Sequence, residues 1–151
     1  MPPLYGVVVL DLTDYSRHVN YLESPYTLRP DQLTGFFVGW PQSPSEERLL
    51  ELLRNSSHVV LAFDEEVDRV VGFATAISDG VLCAYVPLLE VLPEYRGRGI
   101  GTDLMRRMLD KLSHLYMIDL LCDEDLQPFY ARLGMTHSKG VMVRNYERQS
   151  G

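Results

Sequence analysis

The sequence is short of cysteine, of basic residues and of long apolar runs, and each shortage removes a class of protein. Its two cysteines, Cys83 and Cys122, form no C-x-x-C pair. Neither a disulfide framework nor a zinc ribbon is therefore expected, and both read as reduced core thiols. The four histidines, His18, His58, His114 and His137, are scattered without ligand spacing, so no metal is assigned. Lysine and arginine number 14 against 21 aspartates and glutamates, a net charge of −7. Proteins that grip phosphate backbones carry the opposite excess, which releases counterions, so no nucleic-acid partner is expected and a cationic ligand is favoured. The apolar run at residues 6–10 stops at Asp11. That is too short for a secretory core or a membrane span, which points to the cytoplasm and no membrane partner.

The 151 residues are 46% hydrophobic, enough for one buried core, and a single domain over residues 1–151 is expected, as monomer or homodimer. Residues 6–12 read as a β-branched strand, and residues 14–40 as short helices and loops rich in aromatics. Ser43, Pro44, Ser45 and Glu46 supply a cap, a proline for the first turn and a capping-box glutamate ahead of Leu49, Leu50, Leu52 and Leu53, predicting a helix that ends near Asn55. Residues 58–63, 70–77 and 81–92 form an antiparallel meander, with turns at residues 64–69 and 78–80. The apolar stretch from 84 to 92 suits a strand covered on both faces, and Pro87, which cannot donate to a ladder, calls for a bulge. Ile100, Leu104, Met108 and Leu112 recur every four residues, placing a helix over residues 99–114. A strand at 116–122, a short helix at 126–133 stopped by Gly134, and one or two strands at 137–146 complete an α/β chain.

The chemistry is concentrated where strand meets helix, at Arg96-Gly97-Arg98-Gly99-Ile100-Gly101. Three glycines within five residues let the backbone turn tightly and bring N–H groups against a ligand. The helix that follows adds free donors and its positive dipole end, and an anion such as a diphosphate suits both. There is no lysine for a Walker A loop and no third glycine for a dinucleotide fingerprint. A plain glycine-rich turn is the structural alternative.

Residues 89–101, LEVLPEYRGRGIG, resemble the V-x-P-x-x-R-x-x-G-x-G segment of the GNAT superfamily of acetyltransferases. Residues 123–135, DEDLQPFYARLGM, are similar to that family's N-x-x-A-x-x-F-Y-x-x-x-G-F segment. The resemblance covers roughly residues 59–146. It implies a mixed, mostly antiparallel sheet of about six or seven strands, with helices on both faces and a splayed strand pair that takes the cofactor. It implies acetyl-CoA as co-substrate, without metal, and a small-molecule or peptide amine as acceptor. Backbone groups of Leu89, Glu90 and Val91 would receive the pantetheine arm and the acetyl carbonyl. Arg96, Gly97, Arg98, Gly99, Ile100, Gly101 and Thr102 would cradle the diphosphate, with Phe129 and Tyr130 completing the site. Asp123 stands where the family has an asparagine that hydrogen-bonds the pantetheine and is a candidate for that contact, while Leu126 replaces alanine and Met135 replaces phenylalanine.

Acetyl transfer to an amine needs a neutral nucleophile, a donor for the developing oxyanion and a proton for the leaving thiolate. The N–H of Val91 is the candidate oxyanion donor, and Tyr130 the candidate acid. Leu126, Phe129, Tyr130 and Leu133 also follow the spacing of a helix's core face, a purely structural role for Tyr130. Glu90, the one charge in an apolar strand, is the candidate base, since partial burial raises a carboxylate's pKa. Asp119 and Asp123 compete, and an outward-pointing or arginine-paired Glu90 is the alternative. Tyr15, Tyr21, Tyr26 and Trp40, with Asp14, Glu23 and Asp31, would line a pocket for a cationic amine or simply anchor their loops. Two further readings stand beside the enzyme: an acyl-CoA-binding or regulatory module without turnover, and an interaction domain.

Overall fold

The computed structural model describes residues 18–151; the strand expected at residues 6–12, together with Asp14 and Tyr15, lies outside them. One sheet organises the rest, in the order β1 (Val19–Leu22), β2 (His58–Asp64), β3 (Arg69–Ser78), β4 (Cys83–Val91) and β5 (Met117–Asp119). The first three pairings are antiparallel and the last is parallel. Tight turns close the meander. Between β2 and β3 Asp68 adopts φ 52°, and between β3 and β4 the Asp79 carboxylate accepts the N–H groups of Val81, Leu82 and Cys83 at 2.9, 2.8 and 3.1 Å. β4 and β5 can run parallel because a helix carries the chain back between them.

That helix, α2 (Ile100–Leu112), buries Ile100, Leu104, Met105, Met108 and Leu112. Gly72 of β3 faces it so closely that a Cβ there would stand 3.0 Å from Leu104 Cδ1. Phe73, the next residue, points through the other face, where its ring meets those of Phe36 and Phe37 at 5.0 and 6.4 Å. Leu49, Leu50 and Leu53 of α1 (Glu46–Asn55) are buried as well, and Leu49 borders the same small cavity as Phe36 and Phe37. The sheet thus carries helices on both faces. The cap of α1 is Ser45 rather than Ser43: its hydroxyl accepts the Arg48 N–H at 3.2 Å, a contact worth about 1 kcal/mol, and Pro44 precedes the helix.

Among the described residues the sheet has five strands, where about six or seven were expected. The strand expected at 116–122 is reduced to Met117–Asp119, because its partner turns away. Thr75 pairs with Leu88 but Ile77 with Tyr85, so β4 carries one residue more than β3 over this interval. This is the bulge that Pro87 demanded. Residues 137–146 form no strand: Val141 and Val143 alternate in the required period but are 99% and 91% exposed, and a 3-10 turn, Tyr146–Arg148, ends the segment. Alternation supplies propensity, but once β5 ends at Asp119 no ladder reaches them. The loose segment before α1 conceals β1, which pairs with β2 over four residues. β4 alternates between buried and more exposed positions from Cys83 to Pro87 and is half-buried throughout from Leu88 to Val91, so it is not covered on both faces, and the two cysteines are half-buried rather than core.

Candidate active site

β4 pairs with β5 only at Cys83, Ala84 and Tyr85. Beyond that point its outer edge has no neighbour among the described strands. The direction of the backbone follows from two contacts. Leu92 donates its N–H to Val71 on the β3 side at 2.9 Å, and the carbonyl oxygen of Glu90 lies 3.2 Å from where a Cβ of Gly72 would stand. Successive residues alternate edges, so the N–H and C=O groups of Leu89 and Val91 face the open side and those of Glu90 face β3. The Val91 carbonyl accepts the Arg96 Nε–H at 3.0 Å.

The open edge leads into the glycine loop. A 3-10 turn, Pro93–Tyr95, precedes it. Gly97 and Gly99 then take φ 75° and 80°, in the left-handed region, and where their Cβ atoms would stand nothing lies within 4 Å. Asp103 is the first residue of α2 to bond back, to Gly99 at 3.0 Å, so the N–H groups of Ile100, Gly101 and Thr102 have no partner within the helix. An exposed cradle of donors, empty where side chains would otherwise stand, suits a diphosphate. Arg96 and Arg98 flank it. Arg98 donates to the Glu94 carbonyl at 2.7 Å and lies 5.2 Å from the centre of the Tyr95 ring. The Ile100 side chain is core; only its N–H belongs to the loop.

Phe129 and Tyr130 ride on α3 (Gln127–Ala131), with ring centres 4.9 Å apart. Phe129 reaches the helix start, its Cζ 3.8 Å from the place of a Gly101 Cβ, and Val91 Cγ2 lies 3.7 Å from that same place. Strand end, loop and Phe-Tyr pair therefore converge at Gly101. Tyr130 is half-buried, and burial together with the neighbouring Cys122 pushes its phenol up to about 12. Tyr130 borders a cavity of about 1200 Å³ shared with Tyr85, Asp119, Cys122, Leu133 and His137. This cavity reaches Tyr130 from the β5 and C-terminal side and does not include the glycine loop.

Glu90 neither points free nor pairs with an arginine. Its Oε2 accepts the Phe37 N–H at 2.9 Å and its Oε1 the Val38 N–H at 3.2 Å. Phe37 sits at φ 59° between Gly35 and Gly39, at φ 89° and 82°. The carboxylate thus occupies a nest of main-chain donors built from left-handed residues. No local signal marks this contact, since the partners are 53 and 52 residues away. Asp119 is exposed on the cavity wall, whereas Asp123 lies beyond β5 and opens a 3-10 turn, so the two do not share a strand face. Of the residues expected to line an amine pocket, Asp14 and Tyr15 lie outside the described residues, Tyr26 is exposed, and the others anchor their own segments. Tyr21 donates to Asp103 at 3.1 Å and stacks under Arg107, Glu23 pairs with Lys111 at 2.7 Å, Asp31 pairs with Arg29 at 3.2 Å, and Trp40 packs on Phe37 at 4.9 Å.

These features define a mixed α/β domain in which a strand pair parts beside a glycine-rich helix start. The model of the acetyltransferase (GNAT) family matches residues 25–135, and the chain belongs to that family. An acetyltransferase-assigned protein of Deinococcus radiodurans R1 is 42% identical, with a TM-score of 0.86 over 89% of this chain and 93% of that one. A GNAT-family acetyltransferase of Streptococcus pneumoniae is 26% identical, with a TM-score of 0.68 over 84% and 98%. The N-acetyltransferase ycf52 of Porphyra purpurea, itself uncharacterized, is 28% identical over 102 residues, 64% of this chain and 58% of that protein. The chain thus spans less than two thirds of that curated relative. No helix among the described residues is long and apolar enough to cross a membrane.

Proposed function

We propose that the chain transfers the acetyl group of acetyl-CoA to a primary amine on a small molecule, peptide or protein, in the cytoplasm. The observation that carries this reading is the open edge of β4 running directly into the Gly97 and Gly99 cradle. Acetyl-CoA supplies an acyl group on a thiolate leaving group. The outward-facing main-chain groups of Leu89 and the Val91 N–H suit an extended arm lying alongside as another strand, and the helix start suits the diphosphate. The Val91 N–H faces the side on which negative charge develops during attack, and a donor so placed is typically worth about 3–4 kcal/mol.

Tyr130 then gives its proton to the sulfur as the C–S bond breaks. A phenol near 12 faces a thiol near ~8.5, an uphill transfer of about 5 kcal/mol. That fits within the ~16 kcal/mol barrier of an enzyme turning over about ten times a second. The same shift keeps Tyr130 protonated, and so loaded, throughout the neutral range. Since both Glu90 oxygens hold the loop at Phe37 and Val38, Glu90 serves as its anchor, and the amine gives up its proton to water on the Asp119 side of the cavity. Acetyl-CoA at saturating concentration should raise the thermal midpoint, and a panel of amines should release free CoA. No stabilisation by acetyl-CoA would exclude this function, because a ligand of the native state must stabilise it.

A further inference from the structure

Asp64 ends β2 as a carboxylate only 2% exposed. It forms no salt bridge among the described residues, and its oxygens accept two hydrogen bonds instead, from the Tyr95 hydroxyl at 2.7 Å and the Glu66 N–H at 2.9 Å. A buried carboxylate is costly, and an apolar pair of the same shape would pack without desolvating a charge. What the pair adds is direction. Tyr95, itself 7% exposed, closes the 3-10 turn immediately before Arg96, and its ring lies beneath the Arg98 guanidinium. Its N–H bonds to Leu92, and the Arg96 N–H to Pro93, at 2.9 and 3.3 Å. The phenol is therefore a peg through which a rigid central strand fixes the start of the glycine loop.

We propose that Asp64 and Tyr95 are positioning residues for the diphosphate loop, holding residues 96–102 in register with the open edge of β4 before the ligand arrives. The inference rests on the acetyl-CoA reading. A loosened loop must be ordered at the moment of binding. The loss should therefore appear with ligands that carry the diphosphate and not with those that lack it.

The test compares acetyl-CoA with acetyl-pantetheine, a donor without diphosphate or nucleotide, on wild type and Tyr95→Phe. Tyr95→Phe should raise the Kd for CoA about tenfold, one hydrogen bond's net worth, and leave kcat/KM for acetyl-pantetheine unchanged. An equal loss with both donors, or an unchanged Kd for CoA, would overturn the proposal. The double variant Asp64→Leu/Tyr95→Phe controls for folding. It should recover the thermal midpoint while the Kd for CoA stays raised, and recovery of both would reduce the pair to a stabilising contact and also overturn the proposal. Wild type that fails to bind CoA would bring down the acetyl-CoA reading and this inference together. Wild type that binds, with a variant that binds equally well, would overturn the positioning role alone.

Discussion

Replacing Glu90 with glutamine separates an anchor from a base. The carboxylate accepts two main-chain N–H bonds, from Phe37 in a partly buried setting and from Val38 in an exposed one. A hydrogen bond to a charged group contributes about 1.5–3 kcal/mol, and a neutral one about 1. Glutamine keeps a single acceptor, and its NH2 would face the second N–H, donor against donor. Discounting the exposed bond, the loss comes to about 2 kcal/mol. That is as large as the ~1–2 kcal/mol that holding Phe37 in the left-handed region costs, so the loop should leave its seat. Glu90→Gln should therefore speed hydrogen exchange at the Phe37 and Val38 amides and lower the urea midpoint at unchanged m-value. It should keep the acidic limb of the kcat/KM profile. Unchanged exchange and stability, with the acidic limb lost, would make Glu90 the base and refute the anchor.

Tyr130→Phe should leave CoA affinity intact and lower kcat by about 10²–10⁴-fold, the usual worth of a general acid; wild-type turnover would end that role. Gly99→Ala places a methyl into the cradle at φ 80°, where nothing of the protein stands within 4 Å. It should cost about 1–2 kcal/mol of stability through backbone strain and weaken CoA binding in calorimetry, whereas unaltered affinity would remove Gly99 from the site. Burial pushes both Tyr95 and Tyr130 up to about 12, so each favours the folded state in its protonated form. Their contribution is intact below pH ~10, the unfolded value, and is lost as pH rises through the folded one near 12. A thermal midpoint falling from pH ~10 to ~12, less steeply in Tyr130→Phe, is the expected record.

What the sequence made legible was local. Left-handed glycines, a capped helix and a four-residue apolar spacing act within a turn or two, so the loop, α1 and α2 emerge close to where the sequence places them, with the first cap moved to Ser45, Pro44 ahead of the helix and Glu46 at its first position instead of in a capping box. The contacts that bind the site together are distant. Glu90 meets Phe37 and Val38 across more than fifty residues and Tyr95 meets Asp64 across thirty-one, and no spacing rule marks an acidic residue as the partner of a main-chain nest. β1 was missed for a related reason: Val19–Leu22 reads VNYL, too short and too polar to announce itself, and only the edge of β2 makes it a strand.

The shortened fifth strand and the open slot have one cause. Pro87 removes a ladder donor and sits where β4 carries an extra residue against β3, which bends β4 away after Tyr85. Residues 120–122 have the apolar character of a strand and lose their neighbour at that point, while the main-chain groups of Leu89 and Val91 are left facing outward. A continuous β4 would have lengthened β5 and filled its own edge with hydrogen bonds, leaving no donors beside the glycine loop. The bulge thus leaves, next to a helix start, a length of β4 edge without a neighbour among the described strands, the kind of edge that an extended ligand can join as a further strand.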